Sequence, residues 1–213
     1  MSEIFVLAKN RLGPQEVDRI VEALKREAII IYPTETFYGL GGLANFKTVV
    51  DRIFQLKGRE SAKTLPFIAS DLEMVLRYVE EPGPLFYQLT EIFWPGPLTL
   101  VLKARKGALS AESCGPEMTI ALRVPPLEWL RELVRKSGQL LISTSANLSG
   151  FPPLNSFKEV HKIFADQVDI IIDGGDTPGE KPSTIIDLTG PLPVCLREGK
   201  IPEAKIWEAL NLK

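Results

Sequence analysis

Short, almost wholly apolar runs recur along the chain, at 28–32 (AIIIY), 65–69 (LPFIA), 98–102 (LTLVL), 140–143 (LLIS) and 168–173 (VDIIID), and they constrain its fold more than any other feature. A strand that alternates polar and apolar residues needs cover on one face, whereas a continuous apolar run needs it on both. These runs are too short for helices and end at proline, glycine or hydroxyl residues, so they read as buried strands. Further strands are expected at 4–8, 119–124, 184–188 and Val194–Arg197. The cover comes from amphipathic helices between them. Val17, Ile20, Val21 and Leu24 share one face of a helix over 15–27, and Val49, Val50, Ile53 and Phe54 mark a second that Gly58 stops. Asp71 caps a third. Others are expected at 86–93, closed by Trp94-Pro95-Gly96-Pro97, at 127–136, at 157–164 and from Pro202 to the end. Helices and strands alternate irregularly, with strands such as 98–102 and 119–124 following one another without an intervening helix. The expected fold is therefore mixed α/β (α+β): a parallel and antiparallel sheet flanked by helices, in one domain over 1–213.

The remaining totals exclude function classes rather than choose one. With 25 Lys and Arg against 27 Asp and Glu, no global positive field marks a nucleic-acid binder. The two cysteines, Cys114 and Cys195, make no CxxC pair and suit a reduced, cytoplasmic protein. No run approaches the length of a membrane span, and the first residues lack a signal-peptide pattern. The single histidine, His161, falls on the polar side of its helix, so a serine–histidine triad is not expected. A metal site built from histidine and cysteine is excluded by count, and neither a P-loop nor a dinucleotide fingerprint is present.

What is left is hydroxyl, amide and cation chemistry at strand and helix ends. The 33–41 segment (PTETFYGLG) leaves a buried strand with two threonine hydroxyls; it suits a ligand-binding loop or simply a turn rich in hydroxyl caps. Lys57 and Arg59 flank Gly58 at a helix C-terminus with expected solvent access, where the helix dipole favours cations whether or not they clamp a phosphate; Lys63 is close by. Ser145 and Asn147 follow the 140–143 strand and suit either phosphate or ribose contacts or caps of their own turn. Arg123 closes the 119–124 strand and needs a partner or an opening, as an ion pair or a carboxylate clamp; Arg197 holds the same place on the last strand. The 174–182 stretch is the most loop-like part of the chain and is placed to move over a site.

These segments, taken in order, resemble the threonylcarbamoyl-AMP synthase (YrdC-like) family. The resemblance runs from about Ala28 to Gly199 and rests on Pro33-Thr34-Glu35-Thr36, the K-x-R of Lys57 and Arg59, Trp94-Pro95-Gly96-Pro97-Leu98-Thr99, the S-x-N of Ser145 and Asn147, Ser183-Thr184-Ile185 and Leu196-Arg197-Glu198-Gly199. It implies a twisted mixed sheet around a concave, cationic cavity. It also implies an enzyme that joins L-threonine, bicarbonate and ATP into L-threonylcarbamoyl-AMP with release of pyrophosphate, for a modified adenosine in tRNA. By motif position, Thr34, Arg123, Ser143 and Ser183 would meet threonine or its carbamate. Lys57, Arg59, Thr119, Ser145, Asn147 and Arg197 would meet ATP, with Lys57 and Arg59 neutralising charge in the reaction. Magnesium would arrive with the nucleotide, and no protein-bound metal or organic cofactor is implied. Partners would be tRNA or double-stranded RNA and the downstream proteins that transfer the threonylcarbamoyl group. Two departures are visible: 66–70 lacks the histidine that some members carry there, and Phe151-Pro152-Pro153 stands where many have a cation. The chain ends soon after Gly199, as expected of the short form. Two rival readings remain at this level: an RNA-binding module of the same fold without adenylate chemistry, and an enzyme acting on another carbamoyl-type substrate.

Overall fold

The computed structural model describes residues 1–58 and 65–211. The strands divide between two mixed sheets rather than forming the one expected, within the mixed α/β class. The first sheet runs β1 (Glu3–Val6), β9 (Ile170–Asp173), β2 (Ile30–Pro33), β3 (Tyr38–Gly41), β8 (Thr144–Ser145). Within it β1, β9 and β2 are parallel and the last two pairings antiparallel. The second runs β11 (Val194–Arg197), β10 (Thr184–Asp187), β5 (Leu98–Lys103), β6 (Thr119–Arg123), β4 (Pro66–Ile68), β7 (Leu141–Ile142). Here β5 pairs parallel with β10 and antiparallel with β6.

The helices follow the expected apolar faces. In α1 (Pro14–Lys25), Val17, Ile20, Val21 and Leu24 are buried; in α2 (Lys47–Lys57), Val49, Val50, Ile53 and Phe54 are. Gly58 ends α2 with φ near +57°, a left-handed conformation that only glycine adopts without strain. Asp71 caps α3 (Leu72–Tyr78): its carboxylate accepts from the Met74 amide at 2.8 Å, worth about 1 kcal/mol. The remaining helices are α4 (Pro84–Phe93), α5 (Glu128–Ser137), α6 (Phe157–Phe164) and α7 (Glu203–Ala209).

A seam joins the two sheets. β7 and β8 are nearly continuous in sequence but belong to different sheets, and Ser143 is the residue between them. Across the seam the Ile142 amide donates to the Gly42 carbonyl at 2.9 Å and the Ala44 amide to the Leu140 carbonyl at 3.0 Å. The approach is close enough that a β-carbon on Gly41 would sit 1.7 Å from the Ile142 oxygen. Glycine is required there by space alone. Tyr38 and Gly39 of β3, Ser143, and Thr144 and Ser145 of β8, all at or next to this seam, line part of the cavity described next.

Candidate functional site

Alternation along three strands of the second sheet builds a floor. On β5, β6 and β10, one set of side chains (Leu98, Leu100, Leu102; Ile120, Leu122; Thr184, Ile186) is buried. The intervening set (Thr99, Val101; Thr119, Ala121, Arg123; Ser183 just before β10, Ile185, Asp187) lines a cavity of about 710 Å³. Successive residues of a strand point to opposite faces, so one pattern supplies both core and site. Residues of the first sheet and its connections (Thr34, Thr36, Tyr38, Gly39, Thr144, Ser145) line the same cavity. Ser143, at the crossover, lines it too, as do Pro66 and Phe67 of β4, the stretch without the histidine.

Polar groups around the cavity are held by one another. Thr34 is buried; its Oγ1 donates to the Phe37 carbonyl at 2.6 Å and lies 3.0 Å from the Thr36 hydroxyl. The Ser183 hydroxyl lies 2.9 Å from that of Thr99, and Arg197 donates to the Ser183 carbonyl through Nε (3.1 Å) and Nη2 (2.8 Å). Arg197 Nη2 also donates to the Ser183 hydroxyl at 3.2 Å. Arg123 is buried and donates through Nη1 to Glu35 Oε1, so the expected partner exists. Burial pulls the Arg123 pKa down to about 10, and the Arg197 charge adds to the fall. The nearby Tyr32 hydroxyl donates to the Ile142 carbonyl at 3.2 Å, and burial drives its pKa far above the ordinary tyrosine value. Besides these two arginines, Glu117 and Asp187 contribute carboxylates to the lining. Glu117 accepts from Lys103 at 3.1 Å, and Asp187 from the Thr189 amide and hydroxyl at 2.8 and 2.6 Å.

The structure therefore brings Thr34, Thr119, Arg123, Ser143, Ser145, Ser183 and Arg197 together at one cavity. Lys57 and Asn147 stand just behind it. Lys57 is not the solvent-accessible helix-end cation expected from the sequence; it is 4% exposed. Its Nζ donates to the Ser145 carbonyl (2.7 Å), the Asn147 carbonyl (3.2 Å) and Asn147 Oδ1 (2.9 Å). Asn147 Oδ1 also accepts from Ser145 Oγ at 2.6 Å, and its Nδ2 donates to the Phe151 carbonyl at 2.5 Å. Lys57 thus shapes the turn that carries Ser145. Arg59 and Lys63 lie outside the described residues. His161 is half-buried with its ring 5.7 Å from that of Phe157, and is not among the residues lining the cavity.

Thr99 in the cavity lining and Glu35 behind it carry no individual sequence signal. Thr99 was visible only as part of a motif, although its i, i+2 relation to Val101 marks one strand face. Glu35 lay inside the Thr34–Thr36 segment without a stated partner until Arg123 supplied one. The 174–182 stretch is tethered to the site: the Gly179 amide donates to the Thr36 carbonyl (2.8 Å), and the Tyr38 hydroxyl to the Gly175 carbonyl (2.7 Å). Among the described residues no cluster of His, Cys, Asp and Glu suits a metal ion. Nor is any helix among them long and apolar enough to cross a membrane.

Comparison with known proteins points the same way. A family model covering Sua5, YciO and YrdC, described as "Telomere recombination", matches residues 22–199. The threonylcarbamoyl-AMP synthase of Pyrococcus abyssi is 38% identical over 212 residues, 98% of this chain and 61% of its own length. That of Idiomarina loihiensis is 39% identical over 164 residues, 76% of this chain and 88% of its own. The crystal structure of P. abyssi Sua5 complexed with L-threonine superposes with a TM-score of 0.90 at 32% identity, over 99% of this chain and 61% of that one. The chain thus spans about three-fifths of the P. abyssi protein. With the family model matched over most of its length and synthases of that family more than a third identical to it, the chain belongs to the Sua5/YciO/YrdC family.

Proposed function

We propose that this chain is an L-threonylcarbamoyladenylate synthase, forming threonylcarbamoyl-AMP and pyrophosphate from L-threonine, bicarbonate and ATP. The observation that carries the reading is the meeting, at one cavity of about 710 Å³, of residues from distant segments that the family resemblance had divided into an amino-acid set and a nucleotide set. Thr34, Arg123, Ser143 and Ser183 belong to the first; Thr119, Ser145 and Arg197 belong to the second. Relatives named as threonylcarbamoyl-AMP synthases support it.

The chemistry fits a site without a histidine. Once the threonine amine has captured carbon dioxide, the carbamate oxygen is an anionic nucleophile. It attacks the α-phosphorus of ATP, the bond to the bridging oxygen breaks, and pyrophosphate leaves with its magnesium. Alignment and neutralisation of developing charge carry most of such a transfer. On this reading Arg197, held by three contacts to Ser183, meets phosphate oxygens, and Arg123, held by Glu35, meets a carboxylate. Lys57 acts through the turn it holds, and Arg59 is proposed as a further phosphate contact. On this reading the protein works in the cytoplasm, contacts tRNA or hands its product to the proteins that modify tRNA, and takes magnesium only as part of MgATP.

Pyrophosphate release by the purified protein, measured with each substrate omitted in turn, tests the proposal. Release should require threonine, bicarbonate and ATP together. Release that ignores threonine and bicarbonate would overturn it.

A further inference from the structure

Asp187 is a cavity carboxylate that the proposed chemistry leaves unused. It is half-buried on β10 and lines the cavity floor. Its Oδ1 accepts from the Thr189 amide (2.8 Å) and the Thr189 hydroxyl (2.6 Å), which hold the group in place. Among the described residues no hydrogen bond or ion pair falls on Oδ2, and this oxygen keeps accessible surface. The other carboxylate of the lining, Glu117, pairs with Lys103 at 3.1 Å.

Strand register sets Asp187 between two members of the nucleotide set. On one row of the floor Arg197 pairs with Ile185 and Ile185 with Thr99. The next row is Val194, Asp187, Val101 and Ala121, and Lys103 pairs with Thr119 one row beyond. Successive rows on one face of a strand lie about 7 Å apart. A nucleotide that reaches from Arg197 to Thr119 therefore crosses the row of Asp187. A carboxylate there repels phosphate, so the part that crosses is the uncharged nucleoside. The sugar is joined directly to the α-phosphate, and with the phosphates at Arg197 it is the first part of the ligand to reach that row. Val101 and Ala121 beside Asp187 bring no polar side chain to compete for its hydroxyls.

We propose that Asp187 Oδ2 accepts from a ribose hydroxyl of the nucleotide, so that the cavity selects ribonucleotides over deoxyribonucleotides. This rests on the nucleotide reading given above and concerns a residue outside both ligand sets. An ionised carboxylate only accepts, and a ribose hydroxyl donates; an acidic residue holds the ribose of NAD in doubly wound folds in the same way. A site built to bond a substrate hydroxyl rejects the analogue that lacks it, because its own polar group is then left unmet. Among the described residues no cluster around Asp187 suits a metal ion, so its carboxylate is not explained as part of one.

The test measures binding of ATP, 2′-deoxy-ATP and 3′-deoxy-ATP, each with magnesium, by calorimetry on the full chain. Wild type should bind ATP at least about tenfold more tightly than one of the two deoxynucleotides, the effect expected of one hydrogen bond to a charged group. Asp187→Asn keeps an oxygen for Thr189 and turns the other position into a donor. It should weaken ATP binding by about tenfold or more and binding of that deoxynucleotide by less than about threefold. A smaller wild-type preference against both deoxynucleotides overturns the proposal, and this comparison needs no variant to fold. Equal weakening of all three nucleotides by Asp187→Asn also overturns it, because Asp187 would then serve the 187–189 turn alone. Failure of wild type to bind any of the three overturns instead the nucleotide reading on which the proposal rests.

Discussion

Replacing Lys57 with methionine separates a residue that shapes the site from one that merely decorates a helix end. The side chain is 4% exposed, and its ammonium feeds three oxygens of the 145–147 turn. Two of them retain another donor after the change: the Ser145 carbonyl keeps the Asn147 amide at 3.0 Å, and Asn147 Oδ1 keeps Ser145 Oγ at 2.6 Å. Only the Asn147 carbonyl loses the donor described for it. Hydrogen bonds from a charged donor contribute about 1.5–3 kcal/mol each, and an orphaned buried acceptor costs about 1–3 kcal/mol. Methionine fills nearly the same volume, and the folded state no longer has to desolvate an ammonium, which offsets part of the loss. The balance is a destabilisation of about 2–4 kcal/mol, or roughly 5–15 °C in Tm for a chain of this size. Thermal melts and urea midpoints of the variant beside wild type measure it. Adenylate formation should fall as well, because the turn carries Ser145 at the cavity wall. A Tm drop below about 2 °C would refute the argument and return Lys57 to the role of a surface cation.

Gly41→Ala should destabilise by more than about 4 kcal/mol or prevent folding, since its β-carbon would lie 1.7 Å from the Ile142 oxygen; near-wild-type stability in urea refutes the close approach. Burial raises the Tyr38 pKa from 10.0 to about 12, so between those pH values the unfolded chain releases a proton that the folded chain keeps. Stability should therefore fall as pH rises through that window, by at most about 2–3 kcal/mol from this group, and Tyr38→Phe should flatten the slope; an unchanged slope refutes the assignment. Arg197→Ala should lower turnover with ATP by about a hundredfold or more while moving Tm little, because the residue is exposed; retention of wild-type rates removes it from the site. Serine should be a poorer substrate than threonine by roughly 10–200-fold in kcat/KM, the worth of one methyl in an apolar pocket, and equal values would show that the methyl is not read.

Much of the scaffold was legible because its signals are local. The faces 17/20/21/24 and 49/50/53/54, the Asp71 cap and the Gly58 stop each depend on a few neighbouring residues, and each is seen in the structure. β3 and β8 were not legible. The two glycines of Tyr-Gly-Leu-Gly weaken its strand signal and a Thr-Ser pair is too short to carry one, so both become strands through pairing with each other and with β2. The division into two sheets is likewise a matter of partners, invisible in any single run. At the site, the spacing of Thr119 and Arg123 on one strand face was in the sequence. The burial of Lys57 was not, because it depends on a turn 88 residues away.

The crossover at Ser143 has a mechanical consequence. The two walls of the cavity are woven into one hydrogen-bonded fabric by the contacts between 42–44 and 140–142. Among the described residues these bonds fix the spacing of the two walls, as in a bowl rather than a clamshell. The segments at 34–37 and 174–182 are tied to this fabric too, Gly179 to Thr36 and Gly175 to Tyr38. Occupancy consequently draws little on chain entropy, since most of the ordering was completed when the chain folded.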